Sequence, residues 1–314
     1  MKNKLSSYLV YLNKVNENWI IDRTRKEWYE HNKNLSTRYL FKSNVIWLIA
    51  SWNWENVNVK SLSNKKTLCS IYHIDEEKFG YEEKKIFLER DKYVDEYHVI
   101  SKKTKNQVSK LTDKKITSIP FWVNKDIWFE IKDKDALHKK FNFNKEDYFI
   151  GSFQRDSEGR DVSQPKLSKG PDRFIKIIKE MNKSKNNLHV ILTGRKRNYL
   201  INELTKNKIK FSYFEMATFE TINELYNCLD LYIVSSRFEG GPQSILECGI
   251  TKTPIISTDV GVASEILAQE SIFTMENYLL AKPNIDHAYE ESSKFEMKKV
   301  FKLYNKMLQN LYEN

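Results

Sequence analysis

Short apolar runs recur along the whole chain, and segments with the spacing or charge pattern of helices separate them. The runs are Tyr8–Leu12, Val45–Ala50, Thr67–Tyr72, Tyr97–Ile100 and Ile116–Ile119 in the first half, then Tyr148–Phe153, Leu188–Thr193, Lys210–Phe214, Leu231–Val234 and Pro254–Ser257. Runs of this length are typical of strands in a parallel sheet that is buried on both faces. Their alternation with helical segments predicts an α/β fold with doubly wound sheets.

Helix signals lie between these runs. Asn16 or Asn18 is the predicted cap of a first helix, and Thr218 is the predicted cap of the helix that precedes Leu231. The tail has apolar residues at helical spacing, namely Phe295, Val300, Leu303, Met307 and Leu311. At 314 residues the chain is long enough for two domains. We place these domains at residues 1–121 and 122–290, followed by a C-terminal helix at 291–314.

The stretch from Leu231 to Val262 has the most specific pattern in the chain. A buried strand leads into Glu239-Gly240-Gly241-Pro242, then into the start of a helix at Gln243, and a second strand follows. The N–H groups of such a turn and helix start favour an anion beyond the end of the strand. Glu239 and Glu247 flank the turn about two helical turns apart, so both are expected to line one ligand.

Polar side chains follow the other strands as well. Ligands of open α/β sheets bind beyond the carboxyl ends of the strands, which selects Arg155, Gly194, Met216 and Glu239 in the second half. The same rule selects two residues of the first half, His73 and Trp52. Cations neutralise phosphate and carboxylates accept hydrogen bonds from hydroxyls, so these residues predict a site for a nucleoside diphosphate attached to a polyol.

Composition narrows the classes of function. The net charge is +10 and the pI is near 9.1, but Lys and Asn occur throughout and no nucleic-acid motif is present, so we predict no nucleic-acid partner. Cys69, Cys228 and Cys248 are scattered, which predicts a reduced cytoplasmic chain without a disulfide framework or zinc site. No apolar run reaches the ~18 residues of a membrane helix, and the start lacks a signal-peptide cleavage site. Peripheral association with the inner membrane face stays open.

The central stretch resembles the retaining glycosyltransferases of family 4, which have the GT-B fold. The resemblance is carried by Glu239-Gly240 and Glu247, then Lys252-Thr253-Pro254, then Asp259-Val260-Gly261 with Glu265. It extends over about residues 65–275 and is most specific from 145 to 268. It implies two Rossmann-like domains that face a cleft, with a C-terminal helix that crosses back to the first domain.

The resemblance also implies roles for residues of the second half. Arg155 and Lys169 correspond to the residues that hold the donor diphosphate, with Arg160 or Lys166 as substitutes because the intervening loop is long. The backbone of Gly240, Gly241, Pro242, Gln243 and Ser244 would meet phosphate or sugar. The base would lie near Gly194 and against Met216-Ala217, Glu247 would bind the ribose, and Glu239 would contact the donor sugar.

For the first half, the resemblance places His73 beside the transferred sugar. Trp52 and Trp54 are either an acceptor platform or core residues. The remaining histidines, His31, His98, His138, His189 and His287, are interpreted as structural or solvated. One departure concerns the Gly-rich loop that often follows the first strand: this chain has no Gly before Gly80, and Asn13 to Asn18 occupies that place. The first domain is therefore short and divergent.

The sequence thus predicts a metal-independent retaining transferase. It would move a hexose-type sugar from a nucleotide-diphosphate sugar to a glycan, lipid-linked or protein acceptor, in cell-surface polysaccharide or glycoconjugate synthesis. Two alternatives stay open. One is a GT-B sugar-nucleotide epimerase or phosphorylase, and the other is a non-catalytic subunit that binds a sugar nucleotide or steadies an active partner.

Overall fold

The computed structural model describes residues 8–15, 20–160, 162–185 and 187–314. The chain divides into two compact units. The first unit comprises Met1–Pro120 and Phe301–Asn314, and the second comprises Phe121–Val300. The predicted caps Asn16 and Asn18 lie outside the described residues.

The first unit contains a five-stranded parallel sheet whose strands follow one another in chain order. The strands are β1 (Val10–Leu12), β2 (Val45–Leu48), β3 (Lys66–Ile71), β4 (Glu96–Val99) and β5 (Lys115–Ser118), and the helices are α1 (Ile20–His31), α2 (Val59–Asn64), α3 (Tyr81–Asp91) and α4 (Lys102–Val108). The side chain of Ser101 caps α4 by accepting a hydrogen bond from the backbone N–H of Thr104. One core cluster lies between β2, β3 and β4 and the segments that cover them.

A buried polar network crosses the core of this unit. The indole of Trp47 donates to Ser70 at 2.8 Å, and the Ser70 hydroxyl lies 2.8 Å from Nδ1 of His98. Nε2 of His98 lies 2.8 Å from the carbonyl of Ile119 and 3.0 Å from the hydroxyl of Tyr304, which the C-terminal helix (Met297–Glu313) provides. Burial lowers the pKa of His98 to about 4, so the imidazole is neutral and its two nitrogens serve as one donor and one acceptor.

The second unit contains a six-stranded parallel sheet. Its strands are β6 (Tyr148–Ser152), β9 (Leu188–Thr193), β10 (Lys210–Phe214), β11 (Leu231–Val234), β12 (Ile255–Thr258) and β13 (Ile272–Phe273), and a separate hairpin is formed by β7 (Ser157–Glu158) and β8 (Gln164–Pro165). The helices are α5 (Lys134–Lys140), α6 (Pro171–Ser184), α7 (Asn198–Lys206), α8 (Phe219–Cys228), α9 (Gln243–Thr251), α10 (Ala263–Ile266) and α11 (Ile285–Ser293).

The order of these six strands is β10-β9-β6-β11-β12-β13. The chain therefore builds one half of the sheet outward from β6, then returns to β6 and builds the other half from β11. The order reverses between β6 and β11, and ligands of such sheets bind in the crevice outside the carboxyl ends at that point. The predicted α/β fold with two Rossmann-like parallel sheets is confirmed, and the reversal of strand order makes the second sheet doubly wound.

The C-terminal segment that belongs to the first unit begins at Phe301, later than the predicted position 291. The residues before it are held in the second unit by backbone pairing. The N–H of Val123 donates to Phe295 and the N–H of Met297 donates back to Val123, both at 2.9 Å. Among the described residues, no helix is both long and apolar enough to cross a bilayer.

Candidate functional site

The carboxyl ends of β6 and β11 bring together several of the residues predicted for the donor. The most direct contact is an ion pair between Nζ of Lys169 and Oε2 of Glu239 at 2.6 Å. The two side chains are only 26% and 10% exposed, so the charges are screened less than a surface pair would be. The other carboxylate oxygen of Glu239 accepts a hydrogen bond of 3.0 Å from the hydroxyl of Ser236.

Lys169 is carried on a turn that only glycine permits. Gly170 has φ 63° and lies against the segment that follows β11, where an added Cβ would be 1.9 Å from the carbonyl oxygen of Ser235. The hydroxyl of Ser235 donates to the carbonyl of Gly170 at 2.8 Å, and the amide of Gln154 donates to the carbonyl of Lys169 at 3.0 Å. The turn is therefore pressed against both strand ends, which fixes the backbone of Lys169 relative to Glu239.

Arg237 and Asp172 hold the same two segments together, although no local sequence pattern distinguishes them. The guanidinium of Arg237 makes a two-pronged pair with the carboxylate of Asp172 at 2.7 and 2.6 Å. The backbone N–H groups of Arg237 and Phe238 both donate to the carbonyl of Ser168. Burial raises the pKa of Asp172, but the hydrogen bond and charge of Arg237 outweigh it and the net pKa is lowered. The Asp172 carboxylate thus stays ionised at neutral pH.

Arg155 follows β6 and is half-buried. Its Nε donates to the carbonyl of Ser157 at 2.9 Å, so its backbone turn is tied to the start of the β7–β8 hairpin. The predicted substitutes differ in exposure, since Arg160 is exposed in the hairpin loop and Lys166 is half-buried beside the Leu167–Lys169 turn. The sequence predicts a long loop between Arg155 and Lys169 and not this hairpin, because a two-residue strand has too little periodicity to be recognised.

A fully buried arginine, Arg197, supports this part of the site and was also missed. Its Nε donates to Asp156 at 2.5 Å, and its NH1 donates to the carbonyls of Ser152 and Thr193 at 2.7 and 2.6 Å. These two carbonyls lie at the carboxyl ends of β6 and β9. Arg197 therefore ties together the ends of two strands and the turn that follows Arg155.

The Gly-rich turn before α9 is packed against the motif that follows β12. Gly261 has φ 53°, and a Cβ there would be 2.5 Å from the carbonyl oxygen of Gly240 and 2.9 Å from the nitrogen of Gly241. The N-cap of α9 is Pro242, whose side chain accepts no hydrogen bond from the first N–H groups of the helix. The positive end of the helix dipole therefore still favours an anion. Gln243 and Ser244, the first two residues of α9, are half-buried there.

Glu247 lies farther along α9 and is buried. The hydroxyl of Tyr226 donates to its Oε2 at 2.9 Å. Burial, followed by the charge of Glu247, raises the pKa of Tyr226 well above its usual value, so the phenol remains a donor. This hydrogen bond orients one carboxylate oxygen of Glu247, the residue predicted to bind the ribose.

The predicted base-binding residues follow β9 and β10. Gly194 has φ 89° with open space where a Cβ would lie, and its carbonyl accepts a hydrogen bond of 2.8 Å from Tyr213. Met216 adopts a left-handed backbone with φ 53° and is exposed, with Nε of Arg195 at 3.0 Å from its sulfur. Ala217 follows it and is half-buried. The neighbouring β9 and β10 thus place both segments at one edge of the sheet.

In the first unit, His73 is exposed two residues after the end of β3. Trp52 is exposed and its ring centre lies 6.2 Å from that of Tyr72. Trp54 is instead buried in the core cluster and stacks on Tyr93 at 5.8 Å. Of the two tryptophans predicted as an acceptor platform, only Trp52 offers an exposed ring, because the Ser51–Asn56 turn directs the other ring inward.

Asn13 follows β1, at the place where the resemblance led us to expect a Gly-rich loop. It is buried, its amide nitrogen donates to the carbonyl of Ala50 at 2.9 Å, and its amide oxygen accepts from the N–H of Ala50 at 3.1 Å. The side chain thereby continues the pairing of β1 with β2 beyond the strands. Within the described residues, no group of three or more His, Cys, Asp or Glu side chains is placed to hold a metal ion.

Comparisons with known proteins place the chain in a class. The solved structures similar to it include HepE of Anabaena in complex with UDP and glucose, at a TM-score of 0.73 and 10% identity, with 96% of this chain and 99% of that chain covered. Sucrose-phosphate synthase of Thermosynechococcus elongatus matches at a TM-score of 0.70 and 11% identity, covering 92% and 80% of the two chains. A glycosyltransferase of Rickettsia africae matches at 0.61 and 16% identity, covering 96% and 84%. No curated protein sequence matches the chain.

The fold and these similarities define a glycosyltransferase with the GT-B fold. The family model of the group 1 glycosyl transferases matches residues 133–314, more than half of the chain, and the protein belongs to this family. The match includes every residue discussed at the carboxyl ends of β6, β9, β10 and β11.

Proposed function

We propose that this protein is a retaining glycosyltransferase that moves a hexose-type sugar from a nucleotide-diphosphate sugar to a glycan, lipid-linked or protein acceptor. The Lys169–Glu239 pair carries the proposal. It places one cation for a diphosphate and one carboxylate for sugar hydroxyls at the point where the strand order of the second unit reverses. Uridine is the base we favour, because HepE binds UDP-glucose in a similar structure.

The chemistry we assign depends on stabilising the departing diphosphate. Lys169, Arg155 and the start of α9 supply positive charge and N–H groups where the negative charge develops. Glu239 holds the hydroxyls of the donor sugar, and Glu247, oriented by Tyr226, binds the ribose. Retention is ascribed to attack on the same face of the sugar, assisted by the leaving phosphate. We propose that no metal ion takes part.

We assign the acceptor side to the first unit, with His73 acting near the transferred sugar and Trp52 offering a ring to the acceptor. Aromatic rings pack well on the apolar faces of sugars. We also propose that the protein is cytoplasmic, where nucleotide sugars would supply it, and that a lipid-linked acceptor would bring it to a membrane surface.

A thermal-shift panel of UDP-, GDP-, ADP- and dTDP-sugars tests the donor. A ligand at about 100 times its dissociation constant adds about 2.7 kcal/mol to the free energy of unfolding. We expect a UDP-sugar to give the largest shift. The absence of a shift with every nucleotide would contradict the proposal.

A transfer assay tests the reaction itself. Labelled donor is incubated with extracts that contain many acceptors, and the anomeric configuration of the product is read by NMR. Retention requires the product to keep the configuration of the donor. Conversion of the donor sugar without an acceptor would favour the epimerase or phosphorylase, and donor binding without any turnover would favour the non-catalytic subunit.

A further inference from the structure

The turn between α1 and β2 exposes two aromatic rings. Tyr39 is 59% exposed and Phe41 is 75% exposed. Leu40, between them, is partly buried and packs against the core of the first unit. The inward packing of Leu40 therefore holds both flanking rings in water. A phenylalanine that is three-quarters exposed loses the free energy of burial unless something covers it.

The turn is ordered by hydrogen bonds. The N–H of Lys42 donates to the carbonyl of Tyr39, and both the N–H and the hydroxyl of Ser43 donate to the carbonyl of Leu40. Asn44 closes the turn, since its side-chain oxygen accepts from the N–H of Leu9 at 3.0 Å and its own N–H donates to the carbonyl of Leu9. The backbone that carries the two rings is thus already ordered. Inserting the rings into an apolar environment would therefore cost little further conformational entropy.

The charge around the rings is positive. From His31 to Trp54 the sequence contains Lys33, Arg38 and Lys42 and no acidic residue. Nζ of Lys42 lies 5.1 Å from the ring centre of Tyr39 and 5.8 Å from that of Phe41. Aromatic rings with a lysine beside them are suited to the headgroup region of a bilayer, because the rings enter the apolar layer while the ammonium contacts lipid phosphate.

A polar groove with a volume of about 610 Å³ adjoins this turn. Its lining includes Ser43, Asn44, Lys65, Lys66, Asp95 and Tyr312. Lys65 donates to the carbonyl of Ser43, and Nζ of Lys66 is 3.8 Å from Asp95. Hydroxyls, amides and ammonium groups in one groove complement a phosphate ester with a polyol headgroup.

Another exposed aromatic residue shows why charge decides the partner. Tyr81 is 80% exposed at the start of α3, but Glu82 and Glu83 follow it and offset the charges of Lys84 and Lys85. That surface has no net positive charge to attract an anionic membrane, whereas the turn from Arg38 to Lys42 has one.

We propose that the Arg38–Lys42 turn and the groove beside it form the surface by which the first unit binds a bilayer that contains anionic phospholipid. The inference does not depend on sugar transfer, because the binding needs neither donor nor acceptor. A failure to bind vesicles would leave the proposed function intact, and a failure of transfer would leave this surface intact.

Vesicle sedimentation of the full chain, without nucleotide, tests the surface. We expect binding to phosphatidylcholine vesicles with one-third phosphatidylglycerol, little binding to phosphatidylcholine alone, and release at high salt, where the Debye length falls from about 10 Å to about 3 Å. Lys42→Gln should lower the partition coefficient about fivefold, since one cation near an anionic surface contributes about 1 kcal/mol. The Tyr39→Ser/Phe41→Ser double variant should lower it at least about tenfold, because both rings leave water on insertion.

Tyr81→Ser is the matched control, because it removes an exposed ring from a surface without net positive charge, and it should bind as the wild type does. All of the substituted side chains are exposed, so thermal unfolding should be unchanged in each variant. Equal binding to neutral and anionic vesicles, or undiminished binding by the double variant, would overturn the proposal. So would a double variant that loses self-association in the absence of vesicles, since the rings would then serve contacts between copies of the chain.

Discussion

The ammonium of Lys169 lies 2.6 Å from Oε2 of Glu239, and this contact joins two residues that follow different strands of the second unit. The carboxylate is in addition held by the hydroxyl of Ser236. A bound diphosphate would compete with Glu239 for the ammonium, and a bound sugar would compete with Lys169 for the carboxylate. Under the proposed function, the pair would therefore couple the binding of the diphosphate to the binding of the sugar.

Lys169→Ala and Arg155→Ala should each weaken donor binding. Charged hydrogen bonds contribute roughly 1.5–3 kcal/mol, so we expect losses of about ten- to a hundredfold in affinity. Calorimetric titration with the donor measures this, and Lys176→Ala, which removes an exposed lysine from α6, is the control. Because Lys169 and Glu239 are in contact, the Lys169→Ala/Glu239→Gln variant should lose less than the sum of the single losses. Unchanged affinity in both alanine variants would place the diphosphate elsewhere.

The two glutamates should differ in kinetics. Glu247→Gln should mainly raise the donor dissociation constant, because a ribose contact is equal in the ground and transition states. Glu239→Gln should lower kcat more than it weakens binding. Tyr226→Phe is a matched test, since it removes the hydroxyl that orients Glu247 and should raise the donor dissociation constant with kcat nearly unchanged. Steady-state kinetics with varied donor give both constants, and equal effects in both glutamate variants would remove the distinction.

Local pattern was sufficient for much of this architecture. The bounds of β9, β10 and β11 match the predicted runs, and Thr218 caps α8 as predicted, because buried strands and helix caps are determined by consecutive residues. The donor motifs were found for the same reason. The predicted roles of the individual site residues remain predictions.

The supporting residues were not predictable in this way. Arg197 and Arg237 occur in polar stretches, and their partners Asp156 and Asp172 are distant in sequence, so nothing local separates them from solvated arginines. The burial of Trp54 was left open for a related reason. Trp52 and Trp54 are alike in sequence context, and only the direction of the Ser51–Asn56 turn distinguishes the buried ring from the exposed one.

His73→Ala should separate binding from transfer. His73 is exposed, so its removal should leave the fold intact and the donor affinity within a few fold. Transfer should fall by about 10²-fold or more, as is typical of a positioned polar group near the reacting centre. The assay uses labelled donor, with His31→Ala, another exposed histidine of the first unit, as the control. Normal transfer by the His73 variant would remove this residue from the reaction.

His98 should make the stability of the first unit depend on pH. Burial lowers its pKa to about 4, against the smaller opposing effect of its hydrogen bond to Ile119. The unfolded chain has the ordinary pKa of about 6.5, so it binds more protons than the folded chain between these values. Stability from this source is complete above about pH 6.5 and falls as the pH drops, by about 2 kcal/mol between pH 7.5 and pH 5.

Urea unfolding at these two pH values checks the contribution of His98. The His98→Gln variant, which cannot be protonated in this range, should lose less stability on acidification than the wild type does. His31→Gln should behave as the wild type, because His31 is exposed. An equal loss in wild type and His98→Gln would show that other groups cause the pH dependence.

Gly170 and Gly194 both have positive φ angles, but their surroundings differ. Gly170→Ala would place a Cβ 1.9 Å from the carbonyl oxygen of Ser235, whereas the corresponding position at Gly194 is open. The backbone conformation alone should cost each variant about 1–2 kcal/mol. Only Gly170→Ala must also push the Lys169 turn away from the end of β11, so it should be the less stable of the two variants and should bind the donor more weakly than the wild type. Urea unfolding compares the two variants, and equal losses of stability would mean that the close approach at Gly170 is not maintained. Donor titration compares Gly170→Ala with the wild type alone, because Gly194 belongs to the predicted base site.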